Sequence, residues 1–257
     1  MKSRVKIYIY GILVLILMLG SVLIANKKSE SIQTNSEVAL SNTKIEWGIR
    51  RGVNGEQPDL GSKNKQLIEK YNGMAMGYKE SKNIYVTFDL GYEAGYTAKI
   101  LDVLKENNVT AAFFITAHYV NTASDLVQRM IDDGHIIGNH TVNHKSMPSL
   151  SQKNLTDEIM NLHTAIYEKF GYEMRYMRPP KGEYSERDLS LCKNLGYIAV
   201  MWSFAYADWD EAKQPLQSEA IKKIIDNTHN GEIMLLHATS KTNMEVLDTV
   251  IKQIKNM

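Results

Sequence analysis

Short strand-like runs alternate with amphipathic helical stretches along the chain after residue 84. The runs rich in β-branched and aromatic residues are 84–88, 111–115, 136–137, 176–178, 198–203 and 232–236. Helical periodicity occupies about 97–107, 123–133 and 151–170, and Ser185-Glu186-Arg187-Asp188 resembles a capping box that opens another helix. Since right-handed crossovers return the chain to the same end of a sheet, this alternation predicts a parallel sheet with covering helices. The length favours one closed or nearly closed β/α barrel.

Polar side chains stand at or just beyond the ends of four of these strands. They are Asp89, His140, Arg178 and His237. In a β/α barrel the carboxyl ends of the strands form the face that carries the chemistry. We therefore expect these four groups, distant in sequence, to meet in one pocket.

Two histidines four residues apart follow the run at 136–137. The spacing of His140 and His144 predicts that both imidazoles lie on one side of a single helical turn, where they can bind one cation. Such a pair alone is weak evidence for a metal site. Its position beside the other strand-end residues favours the metal interpretation.

Each candidate also has a structural interpretation. Asp89 could cap the turn after its strand, Arg178 could be a buried ion-pair partner, and His237 could continue a buried apolar run. Asp208 and Trp209 lie in a loop whose aromatic residues could be core or could form the floor of a sugar-binding groove; the others are Trp202, Phe204 and Tyr206. The remaining histidines have no comparable context and are predicted to be structural: His118, His135, His163 and His229.

The N-terminal segment is predicted to lie outside the fold. Three basic residues precede an uncharged apolar stretch at 7–25, which is long enough to cross a bilayer. We interpret residues 1–25 as a signal anchor, with a cleaved signal peptide as the alternative, and 26–44 as a polar tether. The domain would then occupy 45–257. The charges favour an exported domain that is membrane-anchored, or secreted after cleavage.

Composition limits the partners and the cross-links. The formal net charge is +1, from 30 basic and 29 acidic residues, so no electrostatic argument favours nucleic acid. Cys192 is the single cysteine and cannot form an internal disulfide. It falls on the apolar side of a predicted helix, where a small buried side chain is expected.

Five motifs together resemble those of the NodB-type polysaccharide deacetylases, carbohydrate esterase family 4. They are Thr87-Phe88-Asp89, His140-Thr141-Val142-Asn143-His144, Arg178-Pro179-Pro180-Lys181-Gly182, Asp208-Trp209 and Leu235-Leu236-His237. Further segments resemble the PdaA-like, delta-lactam-biosynthetic de-N-acetylases: Trp47-Gly48, Gln57-Pro58-Asp59, Tyr71-Asn72 and Gly91-Tyr92-Glu93-Ala94-Gly95-Tyr96. The resemblance implies a distorted (β/α) barrel of the NodB type.

The resemblance also implies a role for each matched residue. Asp89 would be the general base, with Arg178 as its partner, and His237 would be the general acid, oriented by Asp208. His140 and His144 would hold a divalent metal, commonly zinc. The main-chain N–H near Lys181 would stabilise the oxyanion. Two tryptophans, Trp202 and Trp209, would line the glycan groove.

One position departs from the family pattern. The family usually has a second aspartate after the base, which is a metal ligand, and this chain has Leu90 there. Relatives that act on muramic acid also lack that aspartate, so the change does not by itself imply inactivity. It predicts a weakly held metal.

The implied substrate is N-acetylmuramic acid in peptidoglycan, leading to muramic delta-lactam in the spore cortex. The enzyme would act on glycan strands in the cell wall or spore envelope after an amidase has removed the stem peptide, and Lys181 could meet the lactyl carboxylate. Two alternatives remain open. One is an N-acetylglucosamine or chitooligosaccharide deacetylase, and the other is a glycan-binding protein that has lost catalysis.

Overall fold

The computed structural model describes residues 40–257, and its compact unit spans Ser41–Met257. The predicted anchor and most of the predicted tether lie outside the described residues. Among helices within 40–257, none is both long enough and apolar enough to cross a membrane.

Six parallel strands form the central sheet, in the order β7-β5-β4-β3-β2-β8. They are β2 (Tyr85–Leu90), β3 (Ala112–Ile115), β4 (Ile136–Asn139), β5 (Tyr176–Met177), β7 (Ile198–Ala199) and β8 (Ile233–His237). Two further strands, β1 (Ile45–Glu46) and β6 (Glu183–Tyr184), pair antiparallel. The first long strand, β2, thus pairs with both β3 and the last strand, β8.

The sheet curls until its two edges approach each other. The sequence predicts a strand over 198–203, but regular strand pairing is present only at Ile198–Ala199. Beyond it, the main-chain N–H groups of Ser203 and Phe204 donate to the carbonyl of Ile233, and Leu235 N–H donates to the carbonyl of Phe204. The segment after β7 therefore lies against β8. This confirms the predicted distorted barrel.

Helices cover the outside of the sheet. They are α1 (Ser62–Lys70), α2 (Thr97–Glu106), α3 (Ala117–Thr122), α4 (Ser124–Asp132), α5 (Gln152–Phe170), α6 (Glu186–Asn194), α7 (Gln217–Asn227) and α8 (Lys241–Lys255). The predicted capping box is confirmed, because the side chains of Ser185 and Asp188 each accept a main-chain N–H from the other residue. Helix α5 ends at Gly171, whose φ of 66° is a left-handed conformation that glycine adopts readily.

Side chains between the sheet and the helices form the main core. Phe88 and Phe113 stack with ring centroids 5.3 Å apart, and both are fully buried. Each such side chain contributes about 1.5–3 kcal/mol by leaving water. Cys192 is buried against Met177, as predicted. This packed interior fixes the strand ends on which the polar groups stand.

Candidate active site

The strand-end residues meet at the carboxyl edge of the sheet. Asp89 and His237 are direct partners in the ladder between β2 and β8. Two other polar residues, His140 and Arg178, immediately follow β4 and β5. A cavity of about 790 Å³ opens here, and Asp89, His140 and His237 are part of its wall.

Arg178 is fully buried beneath this cavity and holds Asp89 in place. Its Nη1 donates to Asp89 Oδ1 at 2.7 Å, while Nε and Nη2 donate to the carbonyls of Val200 and Met201 at 3.0 and 3.3 Å. The guanidinium also lies 4.1 Å from the ring centroid of Phe114. Burial alone would raise the pKa of Asp89. The charge of Arg178 is the strongest of the effects that outweigh burial and lower that pKa below its ordinary value, so Asp89 is ionised.

A loop, not a helix, brings the two motif histidines together. The predicted helical turn is wrong, because Thr141 and His144 both have a positive φ, of 65° and 53°. Thr141 N–H donates to Asn139 Oδ1, and His144 N–H donates to Thr141 Oγ1. These contacts fold the chain back, so that the rings of His140 and His144 lie 4.7 Å apart between centroids.

His140 presents an unprotonated nitrogen to the pocket. Its Nδ1 lies 2.8 Å from the carbonyl oxygen of Arg178; since a carbonyl only accepts, Nδ1 carries the hydrogen. The other nitrogen, Nε2, lies 3.5 Å from Asp89 Oδ2. Burial lowers the pKa of both histidines, and burial together with the neighbouring His140 lowers that of His144 to about 4. Neutral imidazoles of this kind are suitable metal ligands.

Leu90 provides no ligand to this site. Its side chain is fully buried in the core and does not line the cavity. Glu93, the nearest following carboxylate in the sequence, accepts hydrogen bonds from Gly95 N–H, Thr97 and the Tyr119 hydroxyl. Across residues 40–257, no group of three or more His, Cys, Asp or Glu side chains is arranged to hold a metal. The donor set therefore fits a cation bound by two imidazoles, with its other positions open to water and substrate.

His237 is held by a buried carboxylate. Its Nδ1 donates to Asp208 Oδ1 at 2.7 Å, and its main-chain N–H donates to Asp208 Oδ2 at 2.8 Å. Burial alone would lower the pKa of His237, but the hydrogen bond and the charge of Asp208 outweigh it and raise that pKa. A histidine with a raised pKa can give up a proton near neutral pH.

Asn243 extends this pair, and we did not predict it from the sequence. Its Nδ2 donates to Asp208 Oδ2 at 2.5 Å and to the carbonyl of His237 at 3.2 Å, while its Oδ1 accepts from the Tyr206 hydroxyl. Asn243 is 1% exposed and lies in the first turn of α8. The signal in the sequence is an asparagine in the first turn of the helix that follows the candidate catalytic His237.

The predicted substrate-binding residues lie in the pocket wall, and the aromatic loop divides into two groups. Lys181, Trp202 and Trp209 line the cavity, and Trp209 is 58% exposed with its ring 5.9 Å from that of His237. Phe204 and Tyr206 are buried.

Of the other four histidines, one lines the cavity and three do not. His118 was predicted to be structural, but it is exposed and lines the cavity, because the short unpredicted helix α3 carries it there. His135 and His229 are buried, and His163 contacts the Tyr197 hydroxyl.

Comparison with known proteins identifies the family. The polysaccharide deacetylase family model matches residues 77–200. The peptidoglycan-N-acetylmuramic acid deacetylase PdaA of Bacillus subtilis is 42% identical over 218 residues, 84% of this chain and 83% of that protein. This chain belongs to the polysaccharide deacetylase family.

Solved structures of family members agree with this assignment. The structure of B. subtilis PdaA, a family 4 carbohydrate esterase, matches 84% of this chain and 93% of its own with a TM-score of 0.82 and 42% identity. A family 4 carbohydrate esterase from Bacillus anthracis matches 85% of this chain and 93% of its own with a TM-score of 0.72 and 40% identity. Deacetylases of this family hydrolyse amide C–N bonds outside peptides and use a divalent metal.

Proposed function

We propose that this protein removes the N-acetyl group from N-acetylmuramic acid residues of peptidoglycan by metal-assisted general acid–base catalysis. The observation that carries the proposal is the pairing of Asp89 with His237 across β2 and β8. It places an ionised carboxylate and a histidine of raised pKa side by side at one cavity. Amide hydrolysis needs both a base for the attacking water and an acid for the leaving amine.

Asp89 accepts the proton of the attacking water, and Arg178 holds its carboxylate toward the cavity. His140 and His144 would hold the divalent metal, most commonly zinc in such sites, which when bound acidifies water and polarises a carbonyl. The main-chain N–H near Lys181 is the candidate oxyanion donor. Lys181 has a φ of 60°, an unusual conformation outside glycine, and such conformations cluster at functional sites.

His237 then donates its proton to the leaving nitrogen. Asp208 stabilises the charged imidazole before transfer and fixes its orientation through both carboxylate oxygens. The free amine that remains on muramic acid can attack the lactyl carboxyl of the same sugar, and loss of the carboxyl hydroxyl as water would give a delta-lactam in the spore cortex. A stem peptide on that carboxyl would block this step, so an amidase would act first, and Lys181 is a candidate to contact the freed carboxylate.

Two features support a wall substrate. The relative with 42% identity is named for activity on peptidoglycan N-acetylmuramic acid. The apolar run at 7–25 is suited to anchoring the domain outside the cytoplasm. Retention of both Asp89 and His237 argues against a protein that only binds glycan, because binding needs neither a base nor an acid.

Mass spectrometry of defined glycan strands, with and without stem peptides, tests the substrate. We expect loss of acetyl from muramic residues on strands stripped of peptide. Deacetylation confined to glucosamine would favour the alternative deacetylase, and no turnover by metal-loaded protein would favour the binding protein. Since two imidazoles hold the cation, mild chelation should abolish turnover and added zinc should restore it. Full activity in metal-free protein would contradict the metal assignment.

A further inference from the structure

A second, smaller hollow adjoins the catalytic cavity. It has a volume of about 240 Å³ and lies between the loop after β4 and one face of α5. Val142 and Asn143 line both the hollow and the catalytic cavity. The hollow and the cavity are therefore neighbours separated by this two-residue wall, and a ligand longer than one sugar ring that crosses the wall would contact both.

The wall shared by the two cavities is preformed. Asn143 donates from its main-chain N–H and its side-chain Nδ2 to the two carboxylate oxygens of Glu158, both at 2.7 Å. Val142 N–H donates to the carbonyl of Glu158. These bonds fasten the loop to α5 and already use both oxygens of the Glu158 carboxylate. A ligand in the hollow would meet a fixed surface and pay little to order it.

Polar side chains line the helical side of the hollow. Asn154, Asp157 and Asn161 are spaced by three and four residues, so they share one face of α5. Asn154 contributes only its main-chain N–H to the helix cap, by donating to the Ser151 hydroxyl. Within the described part of the chain, the side-chain amides of Asn154 and Asn161 make no intramolecular hydrogen bond. Asparagine is also a poor residue for a helix interior, so Asn161 has no evident role in stability.

The charges around the hollow are balanced. Asp157 is paired with Lys153 at 2.6 Å, and Lys145 Nζ lies 3.9 Å from Glu158 Oε1. Leu150 adds an apolar patch. Two amides, no unpaired charge and an apolar contact suit a neutral polyhydroxylated ring better than an anionic sugar or a charged peptide.

We infer that this hollow binds the N-acetylglucosamine residue that neighbours the muramic residue on the same glycan strand. The inference rests on the proposed function. Because peptidoglycan strands alternate the two sugars, a muramic residue in the catalytic cavity has a neutral glucosamine directly beside it. The amides of Asn154 and Asn161 would hydrogen-bond its hydroxyl or acetamide groups, and the strand would cross the wall formed by Val142 and Asn143.

The double variant Asn154→Ala/Asn161→Ala tests the inference. Alanine favours a helix, so the variant should fold. Its kcat/KM is measured on long peptide-free strands and on the shortest muramic fragment that the wild type deacetylates. We expect the long-to-short ratio of kcat/KM to fall about 5- to 30-fold, through KM, because two hydrogen bonds are lost. Thr164→Ala, at an exposed position of α5 outside the hollow, is the matched control and should leave the ratio unchanged.

Three results would be decisive against the inference. One is an unchanged ratio of kcat/KM in the double variant. Another is an equal loss of kcat on both substrates, which would mean that the loop carrying His140 and His144 is disturbed. The third is wild-type deacetylation confined to glucosamine, which would defeat the proposed function and the identity of the bound sugar together. Muramic deacetylation with an unchanged ratio would defeat only the role of the hollow.

Discussion

Two buried carboxylates stand at opposite ends of the neighbouring strands β2 and β8, and their surroundings differ. Asp89, at the carboxyl end of β2, accepts a hydrogen bond from Arg178 and lies beside the positive charge of that guanidinium. Glu232 precedes β8 at the amino end, is fully buried, and receives only the main-chain N–H of His229 at 3.3 Å. Its Oε1 has no hydrogen-bond partner among residues 40–257.

The two carboxyl groups consequently differ in protonation. Burial raises the pKa of Glu232 to about 8, whereas the cations around Asp89 lower its pKa despite burial. The imidazole of His229 does not hydrogen-bond the carboxyl group of Glu232, because its Nδ1 and Nε2 contact the carbonyl of Asn227 and the hydroxyl of Ser203. Burial by itself therefore yields a neutral acid, and the partner decides whether a buried carboxyl group can act as a base.

The largest effect on turnover should come from Asp89→Asn. The amide keeps the shape of the side chain but cannot accept the proton of water. We expect kcat to fall about 10²- to 10⁴-fold, measured as acetate release, with the fold retained in circular dichroism. A variant with near-normal turnover would show that another group is the base.

Arg178→Met should convert Asp89 into a site that resembles Glu232. Without the guanidinium, burial would raise the pKa of Asp89, so the acid limb of the pH–rate profile should move to higher pH. We expect turnover to fall about 10²-fold as the carboxylate loses its orientation, and the free energy of unfolding to fall by about 3–5 kcal/mol. An unmoved acid limb would contradict the role given to Arg178.

Asn243→Ala should have an intermediate effect through the acid. Asp208 would lose one of its donors, its hold on His237 would loosen, and the pKa of His237 would fall. Since the acid must be protonated, the alkaline limb of the pH–rate profile should move to lower pH, with turnover reduced about 10-fold. Thr249→Ala, at an exposed position of the same helix, is the control. A loss of turnover with an unmoved limb would mean that Asn243 only supports the fold.

Glu232→Gln should change turnover less than about twofold, because Glu232 is remote from the cavity, but it should change stability with pH. The folded-state pKa of about 8 exceeds the ordinary 4.5, so the folded wild type binds more protons in that interval and loses stability as pH rises through it. The variant lacks this loss. Its advantage in urea unfolding should grow from near zero at about pH 4 to on the order of 5 kcal/mol above pH 8, because each unit between the two pKa values contributes about 1.4 kcal/mol. A pH-independent difference would indicate that Glu232 is ionised when folded.

Much of this arrangement could be predicted from the sequence. Short apolar runs rich in β-branched and aromatic residues located the strands, and polar residues at or directly after their ends located Asp89, His140, Arg178 and His237. These signals are local. The resemblance of the motifs to a family added the proposed roles of Asp208 and Lys181.

Other features depend on contacts that no local pattern encodes. The conformation of residues 140–144 has positive φ at Thr141 and His144, and Glu158 of α5 binds the intervening Asn143 from a distant part of the sequence. Asn243 matters only because α8 docks beside Asp208. The neutral state of Glu232 follows from the absence of a cation around it within the described structure, and a sequence cannot show what fails to approach a side chain.

The pairing of β2 with β8 has a consequence for biosynthesis. Asp89 and His237 are neighbours in the ladder although 148 positions separate them in the chain (237 − 89). The proposed base is synthesised early and the proposed acid late, so a ribosome-bound chain or a fragment that ends before β8 contains most of the barrel but lacks the proposed acid. Contacts of this length also close slowly during folding. Under the proposed mechanism, full enzymatic activity would therefore appear only after the last strand has been made and has paired with β2.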